Sequence, residues 1–273
     1  MHLTRFACLF LAFTGVMMTF SPASTSADQK PAGKLRFYIG TYNSPKSKGI
    51  YRSELDLASG KLSEPILAVE AESPSFVALH PSQKFLYAVN ESGGGTVAAF
   101  AIDAEGQLKF LNQKSSGGAG PCHLIVDPAG KHVLVANYSG GNATVLPILP
   151  DGTLGERTGH AQHPPCSDRE RPRRPLAHSI NLDPSARFAF VCDAGVDQVF
   201  IYKYDAEKGT LTPNTPPSGL TAPDAAPRHF AMHPNGKQCY AINEAELSVT
   251  VFDFDSQTGA ESRADDLHGS DGH

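Results

Sequence analysis

Short apolar runs alternate with polar segments along this chain, and one pattern of them is written four times: SPSFVALHPSQKFLYAVNE (73–91), GPCHLIVDPAGKHVLVANY (120–138), PLAHSINLDPSARFAFVCDA (175–194) and APRHFAMHPNGKQCYAINE (226–244). Each copy has an apolar stretch, a His-Pro or Asp-Pro turn, a second apolar stretch and a polar corner built on Asn or Asp. Counted from the residue before proline (His80, Asp127, Asp183, His233), the copies are spaced by 47, 56 and 50 residues. The proline turn between two runs rich in apolar and β-branched residues predicts strand, turn, strand. After each corner comes an alternating segment (96–102, 143–149, 198–204, 248–254), the pattern of a third strand with one face buried. An Asp-x-x-x-Gly-x-Leu turn or a shorter version then leads to a fourth, outer strand.

Four antiparallel strands repeated at this period predict an all-β chain, a β-propeller whose four-stranded blades cannot bury their faces alone and must stack around an axis. A partial unit at 36–62 ends in the same way, so the chain holds material for about five blades. The absence of tryptophan argues against a WD-type propeller.

This reading fixes where chemistry collects. In a propeller the first strand is innermost, so positions before it and after the second strand surround one mouth of the central channel. Aligned on the proline turn, the position before strand one holds Ser75, Cys122, His178 and Arg228, and the next holds Phe76, His123, Ser179 and His229. The corners contribute Asn90-Glu91, Asn137-Tyr138, Asp193-Ala194 and Asn243-Glu244. A repeat that is otherwise monotonous becomes diverse here, bringing carboxylates, imidazoles, an arginine and a tyrosine to one rim, the assortment acid–base and electrostatic catalysis requires. Asn90, Asn137 and Asn243 are expected to be turn residues bonding their own backbone, and His80 and His233 to be structural.

Composition narrows the field. A net charge of −5 leaves no basic footprint for nucleic acid. Arg5 precedes a 15-residue apolar run ending at Phe20, which reads as a secretory signal peptide over 1–27, too short for the roughly 20 residues of a spanning helix. Cys122, Cys166, Cys192 and Cys239 match neither a zinc spacing nor a disulfide scaffold, and Cys192 and Cys239 are expected as packed thiols. Asn142-Ala-Thr144 fits a glycosylation acceptor. The expected organisation is signal peptide 1–27, linker 28–34, incomplete propeller 35–260 and an unstructured polar tail 261–273.

The segments GPCHLIVDP, AHSINLDPSARFAFV, APRHFAMHPNGK and AINE resemble the seven-bladed propeller lactonase family, which contains the propeller type of 6-phosphogluconolactonase and the fungal carboxy-muconate cyclase, over about 35–259. The resemblance implies hydrolysis of a sugar lactone without metal or cofactor, with catalysis by His178, Arg228 and Glu244. Glu244 would be general base toward water, Arg228 the cation meeting the oxyanion, and His178 the acid at the departing alkoxide. Glu91, His123, Tyr138, Asp193 and His229 would bind substrate. Arg173 and Arg174, with Arg169 and Arg171 in the same insertion, would clamp a phosphate. Leu176 departs from the family's usual first histidine, and the family's second arginine has no counterpart before the chain ends, which reads as a C-terminally truncated propeller. Alternatives from other classes are a non-catalytic binding propeller and a lactonising muconate cycloisomerase. The small-molecule lactone is the expected partner, with no nucleic acid and no membrane after signal cleavage. The chain is expected as a monomer. Secretion or periplasmic residence is expected from the signal peptide, with the family's usual cytoplasm as alternative.

Overall fold

The computed structural model describes residues 33–92, 94–166 and 173–268. The expected signal peptide and the arginines Arg169 and Arg171 lie outside the described residues. Among those described, all regular structure is strand, in five antiparallel sheets, and no helix is long and apolar enough to cross a membrane. The first sheet has three strands, β1 (Lys34–Ile39), β2 (Gly49–Asp56) and β3 (Ile66–Glu70). The second is β4 (Val77–Leu79), β5 (Phe85–Asn90), β6 (Thr96–Ile102) and β7 (Leu108–Ser115). The third is β8 (Pro121–Val126), β9 (His132–Asn137), β10 (Asn142–Pro147) and β11 (Gly159–Gln162). The fourth is β12 (Ala177–Leu182), β13 (Phe188–Asp193), β14 (Gln198–Asp205) and β15 (Thr210–Leu220), and the fifth β16 (Pro227–Met232), β17 (Gln238–Asn243), β18 (Ser248–Asp255) and β19 (Ala260–His268).

Each sheet is a consecutive meander, so the four copies of the pattern are four blades, and the first strands β4, β8, β12 and β16 lie side by side in order. The partial unit at 36–62 supplies strands two and three of its blade, β1 and β2, and β3 just beyond it is the fourth. The β2–β3 ladder carries the same register shift, at Ile50/Tyr51, that the third and fourth strands show at Ala99/Phe100 and Val251/Phe252.

The core sits between blades. Side chains alternate across a strand, and a strand sandwiched between two neighbours reads as a continuous apolar run: all of β9 and β13 is buried. Phe190 and Cys192 face the fifth blade while Ala189 and Val191 face the third. Four junctions thus hold four separate apolar clusters. At the junction of the fourth and fifth blades, Phe190 stacks on Phe230 with ring centroids 4.8 Å apart and meets Phe254 edge-on.

Two expectations are corrected here. The polar end of the chain is not an unstructured tail from 261. Residues 260–268 pair with β18 as β19, a strand the sequence pattern hides because alternation on an outer strand is weak and its inward side chain at Glu261 is a carboxyl rather than an apolar group. The possible glycosylation acceptor Asn142 is buried and hydrogen-bonds Asn137, leaving no room for a sugar.

Candidate functional site at the channel mouth

Cys122, His178 and Arg228 lie inside the innermost strands rather than before them, and each is the extra residue of a β-bulge. Pro121 opposes Asn137 and His123 opposes Ala136, leaving Cys122 unmatched. The same shift isolates His178 between Ala177 and Ser179, and Arg228 between Pro227 and His229. A bulge puts two residues against one and turns the local side chains away from strict alternation. Repeated at the same height in three blades, it places consecutive positions at the channel mouth where a regular strand would send every second one into a junction.

The rim that results is continuous across four blades. Phe76 packs against His123 at 4.2 Å between centroids, and His123 lies 5.5 Å from His229. His229 in turn lies 5.3 Å from His178, edge to face, and Tyr138 lies 5.5 Å from His178. Phe76 of the second blade and His229 of the fifth are 6.4 Å apart, so residues 153 positions apart in sequence meet across the mouth. On one side Arg228 Nε stands 3.1 Å from Glu244 Oε2, with both side chains substantially exposed. The Nε–H is not aimed at the carboxylate, making this a charge contact rather than an aligned hydrogen bond. The pair lines a cleft of about 470 Å³ with His229, Ile242 and Leu247. On another side Glu91 Oε2 accepts hydrogen bonds from Tyr42 Oη at 2.7 Å and from Ser75 Oγ.

Burial sets the electrostatics of the histidines. Desolvation, then the nearby Arg228 charge and His229, push His178 down to about 4. Desolvation with the neighbouring imidazoles pushes His123 down to about 3. His229 is lowered by the same cause, with Arg228 second. All three are therefore neutral at pH 7. A neutral His178 can donate one N–H but does not carry the spare proton of an imidazolium, which revises the acid role expected of it. Burial pushes the Cys122 thiol up to about 12, with the Glu91 charge adding to the rise and the Arg228 charge opposing it.

The structure brings His178, Arg228, Glu244, Glu91, Tyr138 and His229 to this mouth with His123 beneath them, and withdraws Asp193 from it. Asp193 is fully buried: His163 Nδ1 donates to its Oδ2 at 2.6 Å, and the Leu176 and Gly195 amides donate to its Oδ1. It has no surface with which to meet a substrate. His123 is buried as well, and its Nδ1 accepts from the Ile180 amide of the next blade, making it the floor of the mouth. Arg173 Nη1 is held by Asp197 at 2.8 Å and Asp224 at 2.7 Å, tying the insertion to the fourth blade. Arg174 is exposed. The corner asparagines are structural, although only Asn90 bonds its own turn, through the Ser92 amide. Asn137 donates to Ser116 of the preceding blade, and Asn243 donates across the ladder to Ser248 and Thr250.

Tyr42 and His163 escaped the repeat alignment. Tyr42 follows β1 in a unit lacking the proline turn, and His163 follows the outer strand β11. The signal for His163 was an aspartate at the corner where the other copies have asparagine: a buried carboxylate needs a partner.

A channel mouth ringed by the innermost strands of stacked four-stranded blades, with a carboxylate, a guanidinium and neutral imidazoles on one rim, defines a propeller with an enzyme-like site. The family described as lactonase, 7-bladed beta-propeller, matches residues 36–270, and the chain belongs to it. The chain is 36% identical over 224 residues to 6-phosphogluconolactonase of Bacillus subtilis, spanning 81% of this chain and 63% of that protein. It is 31% identical to 6-phosphogluconolactonase of Serratia proteamaculans over 79% of this chain and 61% of that one. The fold superposes on the periplasmic gluconolactonase PpgL of Pseudomonas aeruginosa with a TM-score of 0.80 and 26% identity, covering 87% of this chain and 69% of that one. The chain thus spans less than two thirds of the length of these curated relatives.

Proposed function

We propose that this chain hydrolyses a sugar lactone at the channel mouth. The observation that carries the reading is the exposed Arg228–Glu244 pair beside the neutral imidazoles of His178 and His229, on the scaffold of a lactonase family. Opening a lactone requires water made nucleophilic, a developing oxyanion stabilised and the ring oxygen reprotonated.

Glu244 takes the proton of the attacking water as its oxygen bonds to the carbonyl carbon. Arg228 faces the oxyanion that forms, and the guanidinium turns from Glu244 toward it as the carboxylate becomes neutral. When the carbon–ring-oxygen bond breaks, the proton held by Glu244 returns to the departing alkoxide, and His178 orients that oxygen through its single N–H. The carboxyl group is restored as a base, and the product is a hydroxy acid. Relatives bearing the names 6-phosphogluconolactonase and periplasmic gluconolactonase support the substrate class. The periplasmic residence stated in the last name, with the apolar N-terminal run, supports export of this chain.

Glu244→Gln keeps the shape and removes the base. Its lactone hydrolysis, followed by proton release in weak buffer, should fall by about 10²-fold or more while the thermal unfolding midpoint stays unchanged. Undiminished turnover in a folded variant would remove Glu244 from the mechanism.

A further inference from the structure

The charges at the mouth bear on which lactone enters. Glu91 and Glu244 are carboxylates on different blades of one rim, Arg228 stands against Glu244, and Arg173 is held between Asp197 and Asp224 on the insertion. Arg173 has its guanidinium nitrogen on two carboxylates of its own, Asp197 Oδ2 at 2.8 Å and Asp224 Oδ1 at 2.7 Å, so its charge is already matched. Among the described residues that line the rim, two carboxylates, Glu91 and Glu244, stand with one guanidinium, Arg228. A phosphate dianion binds where guanidinium forks and amides converge unopposed, and here its approach is opposed by two carboxylates at one mouth.

The same rim is well equipped for hydroxyl groups. A carboxylate accepts two hydrogen bonds per oxygen. Tyr42 and Ser75 fix Glu91 through Oε2 in one orientation, as a pre-oriented acceptor pair opposite the Arg228 side. Tyr42 is largely exposed and Tyr138 stands over His178, so aromatic faces and a phenol flank the position a sugar ring would take.

We infer that Glu91, clamped by Tyr42 and Ser75, reads the hydroxyl groups of an uncharged polyhydroxylated lactone, and that the mouth selects against the phosphorylated form. This inference rests on the proposed lactone chemistry but is tested by binding. Calorimetric titration of the full chain with D-gluconolactam, a neutral isostere that is not hydrolysed as the lactone is, and with its 6-phosphate compares the two directly. The neutral lactam should bind at least about tenfold more tightly. Glu91→Gln should weaken the neutral ligand about tenfold while narrowing the ratio, because it removes both a strong acceptor and a repulsive charge. Tyr42→Phe should weaken the neutral ligand severalfold at unchanged unfolding midpoint.

Equal or tighter binding of the phosphate by the unaltered chain would overturn the inference, as would undiminished affinity in Glu91→Gln. If neither lactam binds, the inference falls. Hydrolysis of glucono-1,5-lactone measured in parallel separates the two ideas. Selective neutral binding without hydrolysis rejects the proposed enzyme and keeps this inference, and hydrolysis with a preference for the phosphate rejects the inference alone.

Discussion

At the scale of single residues, the mouth is governed by what burial does to imidazole. His178 was legible in the sequence as a chemically distinct member of an aligned position, but its protonation state was not, because desolvation depends on what surrounds the ring rather than on its neighbours in the chain. The largest cause of its low value is burial, and the next is the Arg228 charge. Removing that charge should therefore raise the value without restoring it to 6.5. In ¹H–¹³C NMR titrations of histidine-labelled protein, His178 should titrate near 4 and move upward in Arg228→Gln. A midpoint near 6.5 in the unaltered chain would show the ring to be solvated and return the imidazolium acid to the mechanism. The sign for stability follows from the same shift. Because the native state binds this proton less readily than the unfolded chain, His178 and His123 make stability rise with pH between about 4 and 6.5.

At the scale of strands, the second and third runs of every repeat were legible almost to the residue. The expected 96–102 is β6 and the expected 248–254 lies within β18. Alternation and turn chemistry are local properties, and they suffice there. The bulges at Cys122, His178 and Arg228 were not legible, since a bulge is a mismatch between two strands and neither strand carries it alone.

The corner of the fourth blade shows how such a strand is held. Asp193 binds the amide of Leu176, two residues before the bulge, and is itself oriented by His163 from the third blade, whose ring lies 4.0 Å from that of Phe200. Where Asn243 bonds within its own blade, Asp193 ties three segments together through a buried imidazole and two backbone amides. Asp193→Ala leaves the His163 N–H and two amides without an acceptor. With three buried donors stranded, it should cost about 3–5 kcal/mol, against about 1–3 kcal/mol for Asn243→Ala, read from denaturant midpoints at constant slope. Equal losses at the two corners would mean that the carboxylate with its three donors adds nothing over an amide.

At the scale of the whole molecule, the stacking of blades was legible from the period, and the four apolar junctions follow from it. The chemistry of one junction was not, because a polar strand, β19, carries a carboxyl group into it. Glu261 of β19 is buried between the fourth and fifth blades: its Oε1 meets the Cys239 thiol at 3.1 Å and its Oε2 has no hydrogen-bond partner. It sits over Gly219 of β15, where a Cβ would come within 2.6 Å of Oε2, so a residue without a side chain is what admits the carboxyl group. Burial pushes Glu261 up to about 8, with the Cys239 contact a smaller opposing cause.

The native state therefore keeps this proton when the unfolded chain, near its ordinary 4.5, has lost it. Stability from this group is complete below about 4.5, declines as pH rises, and levels off above about 8. Between 4.5 and 6.5 the decline is masked by the opposite trend of His178 and His123. From 6.5 to 8 it stands alone, since the buried thiols of Cys192 and Cys239 begin to differ from the unfolded chain only near 9. Across that window, denaturation at constant ionic strength should show stability falling by up to about 1.4 kcal/mol per pH unit. Glu261→Gln, which fills the same volume without an ionisable proton, should flatten the slope and exceed the unaltered chain in stability at pH 8. A slope that survives in Glu261→Gln would place the titrating group elsewhere and mean that the junction of the fourth and fifth blades admits water to the carboxylate.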